Sequence, residues 1–125
     1  MRVMIFGTFD LLHPGHFFVL EEAAKRGDVT VVVARDSTVK RIKNRPPRQH
    51  EAERMDTIRK RFPAATVILG DPADFLAPVR ATKPDLILLG YDQRLPPGVS
   101  EGDLPCVVER LPSHHPDTFK SSLMP

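Results

Sequence analysis

The sequence predicts an α/β fold in which an open, doubly wound parallel sheet of about five strands lies between two layers of helices. Three observations support this prediction. The chain has 125 residues, about the size of one domain, and 41% of them are apolar, which is enough for one core. Short runs rich in Val, Ile and Leu recur with little polar alternation, as in strands covered on both faces. Segments with helical spacing separate most of these runs, so successive strands are expected to run parallel.

The predicted strands and helices alternate along most of the chain. The first helix is expected between the first two strands, where Phe17, Leu20 and Ala24 fall at helical spacing. Pro14 suits the first turn of this helix, and Gly27 suits its end. The strands are expected at residues 2–6, 29–34, 66–69, 85–89 and 105–110.

Two further helices complete a three-layer α/β/α, Rossmann-like arrangement. One covers residues 49–62 before Pro63 ends it, and a shorter one covers residues 72–82. The apolar stripe of the longer helix consists of Ala52, Met55, Ile58 and Phe62. Residues 44–48 and 91–104 contain several proline and glycine breaks, so they are predicted to be loops.

Composition excludes several classes of protein. The sequence contains no apolar run near the ~20 residues of a membrane span, and its N-terminus leads into a strand rather than a signal peptide, so we expect a soluble cytoplasmic protein. The only cysteine, Cys106, cannot form an internal disulfide. Its setting, LPCVVERL, predicts a buried strand and a structural thiol.

Positive charge is concentrated in one segment. Residues 35–61 hold ten Lys and Arg against four Asp and Glu, while the whole chain has a net charge of only +2. This block is expected to face an anion, although for most of the individual charges in RIKNRPPR a solvated loop is the simpler explanation. Nucleic-acid binding is the weaker interpretation, because the block has no interleaved aromatic residues for stacking on bases.

Polar or glycine residues follow each of the first four predicted strands. Ligands of open α/β sheets bind beyond the carboxyl ends of the strands, so we expect these residues to share one ligand-binding edge. They are Gly7, Thr8 and Asp10, then Arg35 and Asp36, then Gly70 and Asp71, and finally Gly90, Tyr91, Asp92 and Gln93.

The stretch GTFDLLHPGH places two histidines where the first strand gives way to the first helix. His13 is expected at the mouth of the helix and His16 one turn inside it, near unpaired backbone N–H groups and the positive end of the helix dipole. Gly7 and Gly15 would let the backbone approach a ligand closely. The stretch therefore predicts an anion site in which two imidazoles donate hydrogen bonds to phosphate oxygens.

Other sites fit the sequence less well. A zinc site would typically have histidines four residues apart with a third ligand and a glutamate, and nothing of that kind lies nearby. The dinucleotide fingerprint GxGxxG and the phosphate loop GxxxxGK[ST] are both missing, which argues against NAD-dependent oxidoreductases and P-loop kinases.

The stretch GTFDLLHPGH resembles the (T/G)xxxHxGH signature of the nucleotidyltransferase superfamily, which includes glycerol-3-phosphate cytidylyltransferases and other cytidylyl- and adenylyltransferases. The later stretches GDVTVVVARDSTVKRIKNRPP, EAERMDTIRK and KPDLILLGYDQ resemble, in this order, further blocks of the small cytidylyltransferase-like enzymes. The resemblance thus extends over most of the chain. Archaeal-type FAD synthases, which adenylylate FMN, are the most similar of these enzymes, especially through VARDSTVKRIKNRPP and LGYDQ.

The resemblance implies transfer of AMP or CMP from a nucleoside triphosphate to a phosphate monoester, with release of pyrophosphate and assistance from Mg²⁺. No covalent intermediate is expected, because a phosphate monoester is substantially dianionic at pH 7 and attacks the α-phosphorus itself. FMN with ATP is the first choice of substrates, and glycerol 3-phosphate with CTP is the alternative. A nucleotide-binding module without turnover is a further alternative, and a homodimer is expected by analogy only.

The resemblance also suggests roles for individual residues. His13 and His16 would hold the triphosphate and its developing charge. Lys43 matches a lysine on the substrate or α-phosphate, and Arg54 matches the arginine of an ExR element; for both, a simply exposed side chain is the alternative. Asp36 would position Mg²⁺ or a ribose, or cap the following helix. The nucleotide-binding residues implied are the backbone of Gly7, Thr8 and Phe9, then Asp10, Gly15, Gly90, Tyr91, Asp92 and Gln93. For Asp10 a turn or cap role stays open, and for Tyr91 either stacking on a base or packing in its loop.

The resemblance predicts a closing element at the end of the domain, which spans residues 1–125. Relatives close the site with a Ser/Thr-rich element at the start of a last helix, whose N-terminus meets the phosphates. Here FKSSLMP offers Lys120, Ser121 and Ser122, and the chain ends three residues later. We therefore expect residues 112–125 to be a truncated closing segment, and residues 113–125 to be poorly ordered without nucleotide.

Overall fold

The computed structural model describes residues 1–112. The strands of this part of the chain are β1 (Arg2–Gly7), β2 (Asp28–Val33), β3 (Thr66–Leu69), β4 (Leu86–Leu89) and β5 (Val107–Arg110). They form one parallel sheet in the order β3-β2-β1-β4-β5, so the direction of winding reverses next to β1. The predicted fold class is therefore confirmed.

The register of the sheet brings the carboxyl ends of the strands to one edge. Gly7 at the end of β1 is paired with Val33 of β2, and Val33 is paired with Leu69 of β3. On the other side of the sheet, Leu89 is paired with Arg110. The loops that leave these strands consequently emerge side by side.

Helices cover both faces of the sheet. They are α1 (Pro14–Arg26), α2 (Asp36–Lys43), α3 (Glu51–Arg61) and α4 (Ala77–Thr82), and a short 3₁₀ turn spans Glu101–Asp103. Successive residues of β1 point to opposite cores. Ile5 belongs to the core that contains Leu20 of α1 and Ile58 of α3, whereas Phe6 belongs to the core that contains Val79 of α4.

Two helices differ from the prediction. The sequence analysis does not predict α2, because its eight residues include only two large apolar side chains, Val39 and Ile42, and only Val39 is buried. The helix predicted at 72–82 begins only at Ala77. Asp71 accepts the backbone N–H groups of residues 73 and 74, and Asp74 accepts that of Leu76, so local turns replace the first helical turn.

Burial also differs from the sequence pattern at three positions. Ala52 of the predicted stripe is exposed, while Arg54 is buried beside Met55 and Ile58. A charged side chain enters a core when its polar atoms find partners, and an apolar pattern cannot signal those partners. Cys106 lies before β5 rather than within it and is half-buried, and this burial raises the pKa of its thiol.

The described part of the chain has no helix that is both long enough and apolar enough to span a membrane. The predicted closing segment, with Lys120, Ser121 and Ser122, lies outside the described residues apart from Pro112. The expectation about order in residues 113–125 lies outside them as well.

Candidate active site

A crevice of about 1700 Å³ opens at the carboxyl edge of the sheet. The loops after β1, β2, β3 and β4 form its walls, as the strand-end rule predicts. Arg54 and Asp36 lie behind these walls rather than in them. The predicted site residues that line the crevice are Gly7, Thr8, Phe9, Asp10, His13, Gly15, His16, Lys43, Gly90, Tyr91, Asp92 and Gln93.

His13 and His16 build the start of α1. His13 is the N-cap residue, and its Nδ1 accepts the backbone N–H of Gly15 at 3.1 Å. His16 Nδ1 accepts the backbone N–H of His13 at 3.3 Å, which completes a capping box of the kind that Ser or Thr usually forms with Glu or Gln. The two rings stack with their centroids 3.8 Å apart and their planes 22° apart.

The capping bonds determine which nitrogen of each ring is left available for a ligand. Because Nδ1 accepts a hydrogen bond in both rings, the proton of each neutral ring lies on Nε2. Within residues 1–112, neither Nε2 takes part in a hydrogen bond, and both rings line the crevice. Burial, with repulsion from His13 and Lys43, lowers the pKa of His16 to about 4. At pH 7, His16 is therefore a neutral hydrogen-bond donor.

The two glycines of the motif make room for aromatic rings. A Cβ on Gly7 would lie 2.8 Å from the ring of Phe9, and a Cβ on Gly15 would lie 3.0 Å from the ring of His13. The ring of Phe9 is only 4% exposed and contacts the ring of His16, with centroids 5.5 Å apart. The glycines were expected to let a ligand come close to the backbone. In the structure, the groups that lie close to them are the rings of Phe9 and His13.

Asp10 joins the loop after β1 to the segment before α3. Its two carboxylate oxygens accept the backbone N–H groups of Arg48 and Gln49 at 2.8 and 2.9 Å, and Gln49 Oε1 accepts the N–H of Leu11 at 2.9 Å. Burial opposes ionisation, yet the two backbone bonds outweigh it and lower the pKa of Asp10. These bonds support the turn role for Asp10, and they hold Phe9 and Leu11 in the left-handed region.

Arg54 connects three segments from behind the crevice. Its guanidinium is fully buried and donates to Thr8 O at 2.8 Å, to Gln49 O at 3.0 Å and to Asp36 Oδ1 at 2.7 Å. Burial tends to raise the pKa of Asp36, but the ion pair with Arg54 and its hydrogen bonds lower it. Arg54 thus does not line the crevice itself but supports the backbone of Thr8, which does. The carboxylate of Asp36 is paired with Arg54.

Basic side chains line the crevice beside α2. Lys43 is the last residue of this helix, and its charge contributes to the lowered pKa of His16. Arg35 and Arg41 are anchored to the loop after β3, through hydrogen bonds to Gly70 O and Pro72 O. The other lining arginines are Arg45, Arg48 and Arg94. The positive charge predicted to face an anion thus borders the crevice.

A glutamine fixes the loop that follows β4. Gln93 Nε2 donates to Phe6 O of β1 at 2.8 Å, and Gln93 Oε1 accepts the N–H of Gly90 at 3.0 Å. Its carboxamide therefore bridges β1 and the residue that follows β4. The side chains of Tyr91 and Asp92 line the crevice and make no hydrogen bond to any other group of residues 1–112. Tyr91 is 53% exposed.

One wall of the crevice is apolar, a feature that was not among the sequence-based predictions. The rings of Phe6 and Phe75 lie with their centroids 4.6 Å apart. In the same crevice, Thr38 Oγ1 is buried and has no hydrogen-bond partner within the described residues. The wall continues through Leu76, Leu95, Pro96, Pro97 and Val99. Apolar residues between the breaks of the 91–104 loop were the available signal.

Known proteins are similar to this chain in sequence and in fold. The model of a family described as cytidylyltransferase-like matches residues 4–104. An FAD synthase of Aciduliprofundum boonei is 45% identical over 95 residues, which are 75% of this chain and 63% of that protein. An FAD synthase of Methanospirillum hungatei is 39% identical over 128 residues, covering 98% of this chain and 81% of that protein.

A solved structure is also similar. It is the crystal structure of the lipopolysaccharide core biosynthesis protein from Thermoplasma volcanium, which is 34% identical, with a TM-score of 0.78. The match covers 91% of this chain and 98% of that one. Among the FAD synthases, the chain spans 63% of the length of the A. boonei protein, so these matches concern part of that protein.

Proposed function

Because the chain belongs to the cytidylyltransferase-like family, we propose that it is a nucleotidyltransferase that joins AMP from ATP to FMN, forming FAD and pyrophosphate. The similar proteins named FAD synthase support this choice of substrates. The observation that carries the proposal is the crevice itself, in which two imidazole donors at a helix N-terminus adjoin an apolar wall.

The reaction needs alignment and charge neutralisation rather than a strong base. An oxygen of the FMN phosphate attacks the α-phosphorus of ATP, and the bond from that phosphorus to the bridging oxygen breaks, so that pyrophosphate leaves with the electron pair. Negative charge builds up on the phosphate oxygens during this displacement. His13 and His16 supply Nε2–H donors for those oxygens, and Lys43 supplies positive charge beside them.

The apolar wall favours FMN over glycerol 3-phosphate as the acceptor. Single-ligand pockets usually measure roughly 300–1,000 Å³. A crevice of about 1700 Å³ accommodates two substrates. The flat isoalloxazine ring of FMN matches a surface made of Phe75, Leu95 and Pro96, whereas glycerol 3-phosphate has no apolar group to bury there.

The divalent metal is proposed to enter with the nucleotide, as the Mg²⁺ complex of ATP. Mg²⁺ is commonly held by substrate phosphates with one or two carboxylates. Within residues 1–112, no group of three His, Cys, Asp or Glu side chains could form a protein cage for a metal ion. Asp36 is engaged by Arg54, and both oxygens of Asp10 accept backbone N–H groups. Asp71 and Asp74 also line the crevice but accept backbone N–H groups of their own turns, so Asp92 is the crevice carboxylate that fits this role. The ion would neutralise charge on the phosphates.

The test measures pyrophosphate release with ATP or CTP as donor and FMN or glycerol 3-phosphate as acceptor, in all four combinations with Mg²⁺. We expect release with ATP and FMN, and an equal amount of FAD detected by chromatography. His16→Asn, purified in the same way, controls for a contaminating enzyme, because it lacks the Nε2 donor and should lose the activity.

Two other results would contradict the proposal. Release with CTP and glycerol 3-phosphate but not with ATP and FMN would identify a cytidylyltransferase. Binding of a triphosphate by calorimetry without release for any pair would identify a nucleotide-binding module without turnover.

A further inference from the structure

Arg110, the last residue of β5, reaches across to the loop that follows β4. Its Nη1 donates to Gly90 O at 2.9 Å and to Gln93 O at 2.7 Å, while its Nη2 donates to Glu101 Oε2 at 2.8 Å. The guanidinium thus holds both ends of the four-residue segment 90–93. It is a planar fork with five donors, and such a fork matches two carbonyls and a carboxylate at once.

Arg110 holds the two ends of this segment from β5, and Gln93 links the same two ends from within the segment. Gln93 N donates to Gly90 O at 3.1 Å, and the carboxamide of Gln93 joins Gly90 to Phe6. These bonds engage the two end residues, and they leave Tyr91 and Asp92 in the crevice wall. The order of these two residues therefore depends on how firmly residues 90 and 93 are held.

We propose that Arg110 is a positioning residue for recognition of the triphosphate, because its guanidinium fixes the backbone that presents Tyr91 and Asp92 to the crevice. This inference rests on the proposed function, since it takes residues 90–93 as the contact for the base and ribose. A segment that is ordered before binding spares the ligand the free-energy cost of ordering it. The affinity for the ligand is higher by the amount of that cost. Arg110 itself does not line the crevice and acts through the carbonyls that it holds.

The chain offers a matched control in the ion pair of Arg26 and Glu109. Arg26 donates to both carboxylate oxygens of Glu109, at 3.1 and 2.6 Å, and so ties α1 to β5 one residue before Arg110. Neither Arg26 nor Glu109 lines the crevice, and the side-chain hydrogen bonds of this pair go to each other and to Glu22 rather than to residues 90–93. Arg26→Met therefore removes an arginine from the same region without releasing the loop.

The test compares the wild-type chain with Arg110→Met, Arg110→Lys and Arg26→Met, using the Kd for MgATP from calorimetry and the KM values for ATP and FMN. We expect Arg110→Met to weaken MgATP binding about ten-fold, because two charge-assisted hydrogen bonds to the loop are lost. The KM for ATP should rise in parallel, while the KM for FMN should stay within about two-fold of wild type. Arg110→Lys should recover part of the affinity, and Arg26→Met should bind MgATP as the wild type does.

Each other outcome counts against the inference. Unchanged MgATP binding in Arg110→Met, or equal weakening in Arg26→Met, would reduce Arg110 to a general structural residue. Equal rises in the KM for ATP and the KM for FMN would do the same. If Arg110→Met does not fold, Arg110→Lys decides, and wild-type affinity in that variant would overturn the proposal. A wild-type chain that binds no MgATP would refute the proposed function itself.

Discussion

The imidazole rings of His13 and His16 stack 3.8 Å apart, and each ring gives its Nδ1 to the cap of the same helix. One nitrogen of each ring therefore stabilises α1, and the other, Nε2, is left available for a ligand in the crevice. Because the two roles belong to different atoms of one side chain, suitable substitutions can separate them.

The first prediction separates the two nitrogens of His16. Asn places its carbonyl oxygen near the position of Nδ1, so His16→Asn retains an acceptor for the N–H of His13 but loses the Nε2 donor. Gln places its amide nitrogen near the position of Nε2, so His16→Gln retains a donor and loses the cap. We expect His16→Asn to keep its melting temperature and to lose at least about 10²-fold in rate of pyrophosphate release.

His16→Gln should show the opposite balance. Loss of the cap is expected to cost about 1 kcal/mol of unfolding free energy, while part of the rate remains. Thermal unfolding and steady-state pyrophosphate release check both variants. Equal rates in the two variants would mean that Nε2 of His16 donates nothing to the reaction.

The second prediction concerns the pH dependence of stability. The pKa of His16 is about 4 in the folded protein and 6.5 in the unfolded chain, so the unfolded chain takes up the proton first as the pH falls. The unfolding free energy should therefore decrease from about pH 6.5 down to about pH 4, by up to about 3 kcal/mol. Urea unfolding at several pH values measures this decrease.

His16→Asn is the control for the pH experiment, because it has no titrating ring at this position. Asp10 and Asp36 have lowered pKa values, so their stabilisation is lost as the pH falls through the ordinary carboxylate pKa and below it. This loss is common to both proteins, so the difference between them reports His16. A wild-type protein with the same pH dependence as His16→Asn between pH 6.5 and 4 would contradict the assignment to His16.

The sequence predicts the location of the crevice better than the contacts within it. The location depends on parallel strands and on the order of the elements, and the apolar runs and the break at His13 and Pro14 carry that information. The contacts of Arg54 do not follow from any local pattern. Two of its three partners, Thr8 O and Asp36, come from distant parts of the chain and meet only after folding.

Phe75 and Gln93 illustrate two further limits of sequence reasoning. Phe75 contributes to the apolar wall because local turns at Asp71 and Asp74 precede α4, whereas the sequence pattern predicts a helix there. Gln93 is correctly expected at the crevice, but its carboxamide is bonded to Phe6 and Gly90. A motif indicates which residues are near a ligand, and it cannot tell which of them hold the others in position.

The third prediction tests the buried guanidinium of Arg54. Arg54→Met would leave Thr8 O and Gln49 O without this donor and would leave Asp36 without its ion pair. Breaking a buried pair is strongly destabilising, and we expect a loss of about 3 kcal/mol in chemical unfolding. Arg59→Met is the control on the same helix, because Arg59 is exposed and donates one hydrogen bond, to Val67 O. Similar losses in both variants would contradict the structural role of Arg54.

The fourth prediction assigns the positive charge near the histidines to Lys43. Lys43→Gln removes a cation from the crevice, so we expect the rate of pyrophosphate release to fall at least about ten-fold. The pKa of His16 should rise in this variant, because repulsion from Lys43 contributes to its lowering. Nuclear magnetic resonance titration of the ring measures that change.

Lys40→Gln is the matched control for Lys43. Both lysines lie on α2, but Lys40 does not line the crevice. We expect Lys40→Gln to keep both the rate and the pKa of His16. If the two substitutions lowered the rate equally, the effect would come from the overall charge of α2 rather than from a contact in the crevice.

The fifth prediction concerns the contact between Gly7 and the ring of Phe9. Gly7→Ala introduces a methyl group 2.8 Å from that ring, and overpacking of this kind is expected to cost about 1–3 kcal/mol in unfolding free energy. Gly70→Ala at the end of β3 is the control, because its methyl group would meet Val32 at 3.6 Å, an ordinary contact, and should be close to neutral. Phe9→Leu replaces the aromatic ring with a smaller side chain and so removes the clash. Gly7→Ala should therefore cost much less unfolding free energy when Phe9→Leu is already present. Additive losses in that double variant would show that Gly7 is required for a reason other than room for Phe9.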